Sequence, residues 1–262
     1  TPCGTLFPYT TLFRSLETYL LGIVGSEMPA SWPPEALKAQ AVAARTYALH
    51  RMMLSRSANR PHDLAATVLS QVYGGAADIA PSVIAAVRAT RGEVLAHERM
   101  LVESLFHSTC GGRTVASVDY FGGVRDYLVE RPCTWCQPSS RYRWEVRSPL
   151  DEVGRRLAGA GLVGPGLTRL GGGGERPLVA RTRGGRRTLD PKAVRRALGW
   201  SRLYSERFTV DTEDGFVRFE GRGFGHGVGL CQWGARGMAE AGRTYREILR
   251  HYYAGAHVQR IY

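Results

Sequence analysis

The chain has 262 residues, 44% of them hydrophobic, which is enough to bury a substantial core and excludes a disordered protein. The best apolar stretch, Leu20–Val24, is far shorter than the roughly 18 residues of a membrane span, so we expect any membrane anchor to lie outside this chain. The formal charge of +12 predicts attraction to polyanions. The arginines are scattered and no zinc-finger, helix-turn-helix or aromatic RNA-binding pattern appears, so we expect no nucleic-acid partner and consider an anionic wall polymer instead.

Residues 1–15 differ in character from the rest of the chain. They have no initiator Met, none of the cationic and apolar regions of an export signal, and no helical period. We interpret them as a foreign or truncated segment, from which a natural export signal could have been lost. We expect the folded domain to span residues 16–262, with a variable glycine-rich insertion at about 159–185.

A first helix is predicted over Leu16–Glu27, where apolar side chains recur at spacings of four and three residues. Glu27 is next on this stripe, immediately before Pro29 ends the helix. The period therefore predicts an inward-facing carboxylate. Burial of a charged group is costly unless the group is paired or functional, so Glu27 is a candidate site residue.

A second, alanine-rich helix is predicted after Ser31, which offers an N-cap. Its small side chains favour close approach of a neighbouring backbone. Gln40 and Arg45 interrupt the apolar pattern and need hydrogen-bond partners, for which Glu27 is a candidate.

The remainder of the chain alternates short strands, glycine-rich turns and helices. The pattern therefore predicts a mixed α+β fold with antiparallel strands. We predict strands or extended segments at 71–75, 93–96, 101–106, 207–211 and 216–220, loops at 159–185, and helices at 81–90, 191–198, 232–241 and 245–253.

Four segments, in this order, resemble the signature motifs of the SpoIID/LytB family: residues 22–47 (GIVGSEMPASWPPEALKAQAVAARTY), 71–75 (QVYGG), 106–114 (FHSTCGGRT) and 221–235 (GRGFGHGVGLCQWGA). The resemblance covers residues 16–262. It implies a single α+β domain, either compact or in two lobes around a cleft, that acts on peptidoglycan outside the cytoplasm. Enzymes of this family are lytic transglycosylases, and the glutamate that matches Glu27 is their catalytic acid and base.

The chemistry of such an enzyme needs one carboxyl group. That group protonates the glycosidic oxygen and then, as a base, helps the 6-hydroxyl of the sugar to close a 1,6-anhydro ring. Water is not the nucleophile, so the second carboxylate of glycoside hydrolases is not required. Burial of Glu27 would raise its pKa and keep it protonated, as a general acid must be. The alternative is a structural glutamate that forms an ion pair with Arg45.

Two short ligand pairs, His107-x-x-Cys110 and Cys133-x-x-Cys136, have the spacing that tetrahedral zinc favours. The family resemblance implies zinc in some members, but their ligand spacing differs from this one. We therefore predict a zinc site from the residues themselves. The alternatives are a disulfide between Cys133 and Cys136, or unrelated thiols with His107 in the sugar site.

The alternating glycines around His226 lack the ending of a phosphate-binding loop. We expect them to bring the backbone close to a flat substrate or to Glu27. A satisfied core histidine is the alternative for His226. Cys231 is given no role. Arg113 is a candidate for the lactyl carboxylate of muramic acid that carries no peptide. The candidate substrate-binding residues are Arg45, Tyr73, Ser108, Arg113, His226, Gln232 and Trp233.

Three functions follow from these observations. The first is a lytic transglycosylase that prefers glycan strands stripped of stem peptides. The second is a non-catalytic wall-binding module that works with an amidase, since the family also contains proteins that resemble amidase enhancers. The third places zinc at the centre, with Glu27 activating a water molecule. Three thiolates and a histidine would close the zinc shell, which suits a structural ion better than a catalytic one.

Overall fold

The computed structural model describes residues 16–57 and 79–262, which fold into helices and antiparallel sheets and confirm the α+β class. These residues divide into two compact units. The helical unit comprises residues 16–57, 79–106, 115–131 and 228–262, and the sheet unit comprises residues 107–114 and 132–227. In the described part of the chain, none of the helices has the length and apolar content of a membrane span.

The helical unit is built around one long helix. Its helices are α1 (Leu16–Glu27), α2 (Pro34–Ser57), α3 (Pro81–Ala89), α4 (Ser117–Phe121), α7 (Gln232–Glu240) and α8 (Tyr245–Tyr252). Its strands are β1 (Glu93–His97), β2 (Met100–Leu101), β10 (Leu230–Cys231) and β11 (His257–Arg260), and the chain enters the sheet unit at β3 (Phe106–His107). Strands β11, β1 and β2 form an antiparallel sheet in that order.

Helix α2 is buried on nearly all sides between Ala36 and Ala48. It contacts α1, α3, α7, α8 and β1. Alanines along this stretch are fully buried, which allows the surrounding elements to approach its backbone closely. The small-residue pattern of the sequence therefore marks the central helix of this unit.

The sheet unit contains a six-stranded antiparallel sheet in the order β4-β9-β8-β5-β6-β7. Buried apolar side chains from this sheet and from two helices, among them Trp144, Leu157, Leu170, Val194 and Phe219, form its core. The elements are β4 (Arg143–Pro149), α5 (Leu150–Gly159), β5 (Leu167–Gly173), β6 (Arg176–Thr182), β7 (Gly185–Leu189), α6 (Pro191–Leu198), β8 (Phe208–Glu213) and β9 (Phe216–Arg222).

The prediction of loops over residues 159–185 was wrong, because β5 and β6 lie there as full members of the sheet. Leu170 and Leu178 supply buried side chains to the core. The glycines accommodate a register shift in β5, and Gly172 and Gly173 have φ of +106° and +83°. A Cβ on Gly172 would lie 2.0 Å from the Pro177 carbonyl oxygen, so glycine is required for the pairing and does not signal a loop.

The other predicted elements agree with the structure to within a few residues, with one exception. The strand predicted over 101–106 is two short strands, β2 and β3, separated by irregular backbone. The Ser104 hydroxyl donates to the Ala43 carbonyl at 2.7 Å, and the Leu105 amide donates to the Glu103 carbonyl at 2.8 Å. The Leu105 amide and the Glu103 carbonyl thereby pair with each other, whereas in a continuous strand they would pair with a neighbouring strand. The extended segment predicted at 71–75 lies outside the described residues.

Candidate functional site

Glu27 is the last residue of α1 and is half-buried. The prediction of an inward-facing carboxylate was only partly right. Along the helix, Glu27 lies on the same line as Leu16, which is also half-buried. The next residue, Met28, continues the line of the buried Leu20 and Val24 and is 1% exposed. The helix therefore buries Met28 and leaves the Glu27 carboxyl group at the edge of the buried stripe, where solvent reaches it.

Gln232 binds Glu27 directly. Its Nε2 donates to Glu27 Oε2 at 3.0 Å, although the two residues are 205 positions apart in sequence. Gln232 is the first residue of α7 and is 6% exposed, so its amide is held by the surrounding helical unit. The structure thus brings together Glu27 and Gln232, which belong to two separate sequence motifs.

An aromatic pair is formed by Trp32 and Trp233 in the same unit. Their ring centroids are 5.1 Å apart and their planes cross at 67°. Arg236 places its guanidinium 4.9 Å from the Trp233 ring and 5.6 Å from the Trp32 ring. The sequence predicted Trp233 but not Trp32 or Arg236. Two signals were present: Trp32 follows Glu27 by five residues, and Arg236 is one helical turn beyond Trp233.

Arg45 is not placed as a substrate-binding residue, and its ion-pair partner in the structure is Glu17 rather than Glu27. It is fully buried, and its Nε and Nη2 donate to the two carboxylate oxygens of Glu17 at 2.9 and 2.8 Å. Its Nη1 also donates to the Glu93 carbonyl at 3.0 Å. A buried guanidinium needs this many acceptors, and Glu17 on the first turn of α1 supplies them.

Gln40, the other polar interruption of α2, is also buried. Neither atom of its side-chain amide has a hydrogen-bond partner among the described residues. The partner that the sequence pattern required for it, with Glu27 as candidate, is therefore not found in the described part of the chain.

His107 and His226 meet within the sheet unit. Their ring centroids are 5.5 Å apart and their planes cross at 61°. The chain around them is paired at Thr109 and Phe224, whose backbones exchange hydrogen bonds of 3.1 and 2.7 Å. His107 is buried and His226 is half-buried, so one ring of the pair remains accessible.

The glycines around His226 have a structural explanation in this unit. Gly223 and Gly225 have φ of +80° and +106°. A Cβ on Gly223 would lie 2.6 Å from the Thr109 carbonyl oxygen, and one on Gly225 would lie 2.8 Å from the His107 Cβ. These glycines bring their backbone against the segment 107–110, where we had expected an approach to substrate or to Glu27.

The other predicted binding residues differ in their setting. Ser108 is half-buried, with its hydroxyl 3.4 Å from that of Thr109. Arg113 is exposed, and its backbone carbonyl accepts a hydrogen bond of 3.0 Å from the Arg207 guanidinium. Tyr73 lies outside the described residues.

Three of the four predicted metal ligands converge in the sheet unit. The sulfur atoms of Cys110, Cys133 and Cys136 all lie within 4.8 Å of one another, and none is in a disulfide. The fourth predicted ligand, His107, is not part of that thiol cluster, because its ring packs against His226 instead. In the helical unit the buried Cys231 is the N-cap of α7, where its sulfur accepts the Gly234 amide at 3.3 Å.

The sheet unit also has an open cavity of about 780 Å³. It contains none of the predicted site residues. Its lining alternates charge, with Arg143, Arg207 and Arg222 beside Glu145, Glu206 and Glu220. The cavity therefore lacks the residues that the sequence motifs single out.

Comparison with known proteins adds the evolutionary relation. A model of the stage II sporulation protein family, SpoIID, matches residues 13–97. The chain is 33% identical to stage II sporulation protein D of Bacillus amyloliquefaciens over 261 residues, covering 93% of this chain and 74% of that protein. The chain belongs to the SpoIID family. Both Glu27 and the central helix α2 lie within the segment that the family model matches.

Two further relatives show how widely this SpoIID domain is shared. An uncharacterised protein of Brachyspira hyodysenteriae is 34% identical over 253 residues, covering 93% of this chain and 66% of that protein. An amidase enhancer of Bacillus subtilis is 28% identical over 287 residues, covering 90% of this chain but only 39% of that protein. The SpoIID chain is thus similar to proteins with a sporulation name and with an amidase-related name.

Proposed function

We propose that this SpoIID chain is a lytic transglycosylase that cleaves peptidoglycan glycan strands with Glu27 as its single acid and base. The observation that carries the proposal is the setting of the Glu27 carboxyl group, which is half-exposed and accepts a 3.0 Å hydrogen bond from the buried Gln232 amide. An amide fixes a carboxyl group without adding a charge beside it. The hydrogen bond therefore orients the carboxyl group for proton exchange with a bound sugar.

The proposed reaction balances with one carboxyl group. Glu27 donates its proton to the glycosidic oxygen as the bond from that oxygen to the anomeric carbon breaks. The 6-hydroxyl oxygen of the same sugar then bonds to the anomeric carbon, and its proton returns to Glu27. No water is consumed and Glu27 ends in its starting state, so the second carboxylate that a hydrolase needs is not required.

The Trp32 and Trp233 pair supports a sugar substrate, because aromatic rings offer a flat apolar surface with a polar edge. Gln232 and Trp233 are consecutive residues, so the residue that orients Glu27 and a residue of the aromatic pair share one helix start. Arg236 beside the pair donates its Nε to Glu240 at 2.7 Å, and we expect the same guanidinium to bind a second carboxylate, such as the lactyl group of muramic acid that has lost its peptide. This supports a preference for strands stripped of stem peptides.

The decisive experiment uses amidase-treated peptidoglycan and mass spectrometry of the soluble products. We expect fragments with 1,6-anhydro ends from the intact chain and none from Glu27→Gln. Glu213→Gln is the matched control, because Glu213 is an exposed carboxylate of the sheet unit and should leave product formation unchanged. Circular dichroism of each variant separates loss of chemistry from loss of fold.

A non-catalytic role beside a cell-wall amidase is the second candidate, and the relative named amidase enhancer favours it. If the folded chain releases no product but binds sacculi and increases release by an added amidase, this second function holds and the first fails. Fragments with reducing ends would instead indicate hydrolysis. Both candidates place the chain in the cell envelope, where peptidoglycan lies.

A further inference from the structure

We propose that Cys110, Cys133 and Cys136 bind a structural zinc ion that fastens two turns of the sheet unit together. The inference does not depend on the proposed glycan chemistry. It rests on the geometry, burial and surroundings of three thiols, and it replaces the ligand set that the sequence predicted, since His107 is not among them.

The sulfur positions suit a shared ion. Cys110 Sγ and Cys136 Sγ are 3.5 Å apart, and all three sulfurs lie within 4.8 Å of one another. With zinc–sulfur bonds of about 2.3 Å, tetrahedral ligands are separated by about 3.8 Å. A disulfide would require a separation of about 2.05 Å. The observed sulfur separations therefore lie around the value expected for ligands of one zinc ion. They are too long for a disulfide bond.

The three thiols are buried outside the apolar cluster that forms the core of the sheet unit. Each of the three side chains is 0% exposed, yet none belongs to the apolar core of the sheet unit, which is built from residues 144–219. Polar groups lie beside them instead: the hydroxyls of Thr109 and Ser139 are 2.7 Å apart and buried.

The backbone brings the sulfurs together through two tight turns. Cys110 precedes Gly111 and Gly112, which have φ of +67° and +109°. The Gly112 carbonyl accepts the Cys133 amide at 3.0 Å, so the first turn is bonded directly to the second. Cys136 Sγ lies 3.6 Å from the Cys133 carbonyl oxygen, within the compact Cys-x-x-Cys turn. Pairs of thiols on short turns are a common way to bind structural zinc.

The donor chemistry indicates which ion is bound and what it does. Thiolate ligands select soft or borderline ions such as zinc, and bound thiols lose their protons to the metal. All three cysteines are 0% exposed, so bulk water and substrate do not reach them, as they would have to at a catalytic zinc ion. We therefore assign this ion to the stability of the turns at 109–113 and 132–139 and not to the chemistry of Glu27.

Zinc content tests the proposal directly. The full chain should be purified from zinc-supplemented cells without chelator, and its zinc measured by elemental mass spectrometry. We expect about one zinc ion per chain, falling to less than about a tenth of that in Cys133→Ser and in Cys136→Ser. Cys3→Ser is the matched control, because Cys3 lies in residues 1–15, and it should retain the metal. Titration with a mercurial should release the zinc as the thiols react, and it counts the thiolates per ion.

Two further measurements keep the test decisive if a serine variant fails to fold. Chelator treatment of the intact chain should lower its thermal midpoint, and added zinc should restore it. Cobalt substitution should give the visible and near-ultraviolet bands of tetrahedral cobalt thiolate. A folded zinc-free chain whose midpoint responds to neither zinc nor chelator would overturn the proposal. A mass two hydrogens lower, mapped to a Cys133–Cys136 disulfide, would overturn it as well.

Discussion

Replacement of Arg45 by methionine should destabilise the helical unit severely. The guanidinium is fully buried, donates twice to Glu17 and donates to the Glu93 carbonyl at 3.0 Å. Loss of one partner of a buried ion pair costs about 3–5 kcal/mol, because the other charge remains. Glu17 keeps the Tyr262 hydroxyl at 2.5 Å and has a side chain that is 20% exposed, so we expect the lower end, about 3 kcal/mol.

Thermal unfolding followed by circular dichroism measures this effect. A loss of about 3 kcal/mol lowers the midpoint of a domain of this size by about 10 °C. Arg243→Met is the matched control, because Arg243 pairs with Glu247 on the surface at 3.1 Å with a side chain that is 57% exposed. We expect that variant to lose less than about 1 kcal/mol. Glu17→Leu combined with Arg45→Met should recover part of the lost stability, since neither charge is then left alone.

If Arg45→Met unfolds within about 1 kcal/mol of the parent chain, the ion pair is not the stabilising element described above. If the variant keeps its stability but binds glycan strands more weakly, Arg45 is the substrate-binding residue that the sequence pattern predicted.

Three other changes have expected outcomes. Gly223→Ala should lower the free energy of unfolding, measured by chemical denaturation, by about 2 kcal/mol more than Gly215→Ala does. Both glycines have φ near +80°, but a Cβ on Gly223 would lie 2.6 Å from a carbonyl oxygen, whereas one on Gly215 would face open space. Equal losses in the two variants would show that the contact at Gly223 relaxes. Gln232→Glu would place a second carboxyl group about 3.0 Å from Glu27, so the two groups would share a proton. The alkaline limb of the pH–rate profile of glycan cleavage should then move up by roughly one pH unit. An unchanged limb would argue against Glu27 as the acid. Burial raises the pKa of Glu17, but hydrogen bonds from Arg45 and Tyr262 outweigh it and hold the pKa below 4.5, so this stabilisation should be present above pH 4.5 and lost as pH falls below it. Burial, with the Glu17 hydrogen bond, raises the pKa of Tyr262 to about 12, so its contribution should be present below pH 10.0 and lost between that pH and about 12. Unfolding midpoints measured across pH, with Tyr262→Phe as the comparison, would contradict this if the alkaline loss is no smaller in the variant than in the parent chain.

Periodic and terminal signals in the sequence were sufficient for most helices. The helices predicted at 16–27, 191–198 and 245–253 rest on local patterns, and the structure places α1, α6 and α8 there. Glycine was the main source of error. At Gly172 it permits a close strand contact, and sequence alone cannot distinguish that use from a flexible loop because both require the same residue.

The residue types of the candidate site could likewise be predicted from the sequence, but their contacts could not. Motif and chemistry identified Glu27, Gln232, Trp233 and the Cys-x-x-Cys pair from the sequence, because each belongs to a short segment with recognisable residues. Which groups bind one another depended on packing across long sequence separations. Gln232 reaches Glu27 across 205 positions, whereas the Arg45 guanidinium pairs with Glu17.

Local patterns in the amino-acid sequence were therefore enough to predict the α+β class, the ends of most helices and the residue types that can carry acid–base or metal chemistry. Three features depend on packing in the folded chain: Met28 and not Glu27 takes the buried position, His107 packs on His226, and Cys110, Cys133 and Cys136 converge without His107. The physical reason is that helical period and capping act over a few residues, whereas burial and partner choice are decided by every element that packs against a side chain.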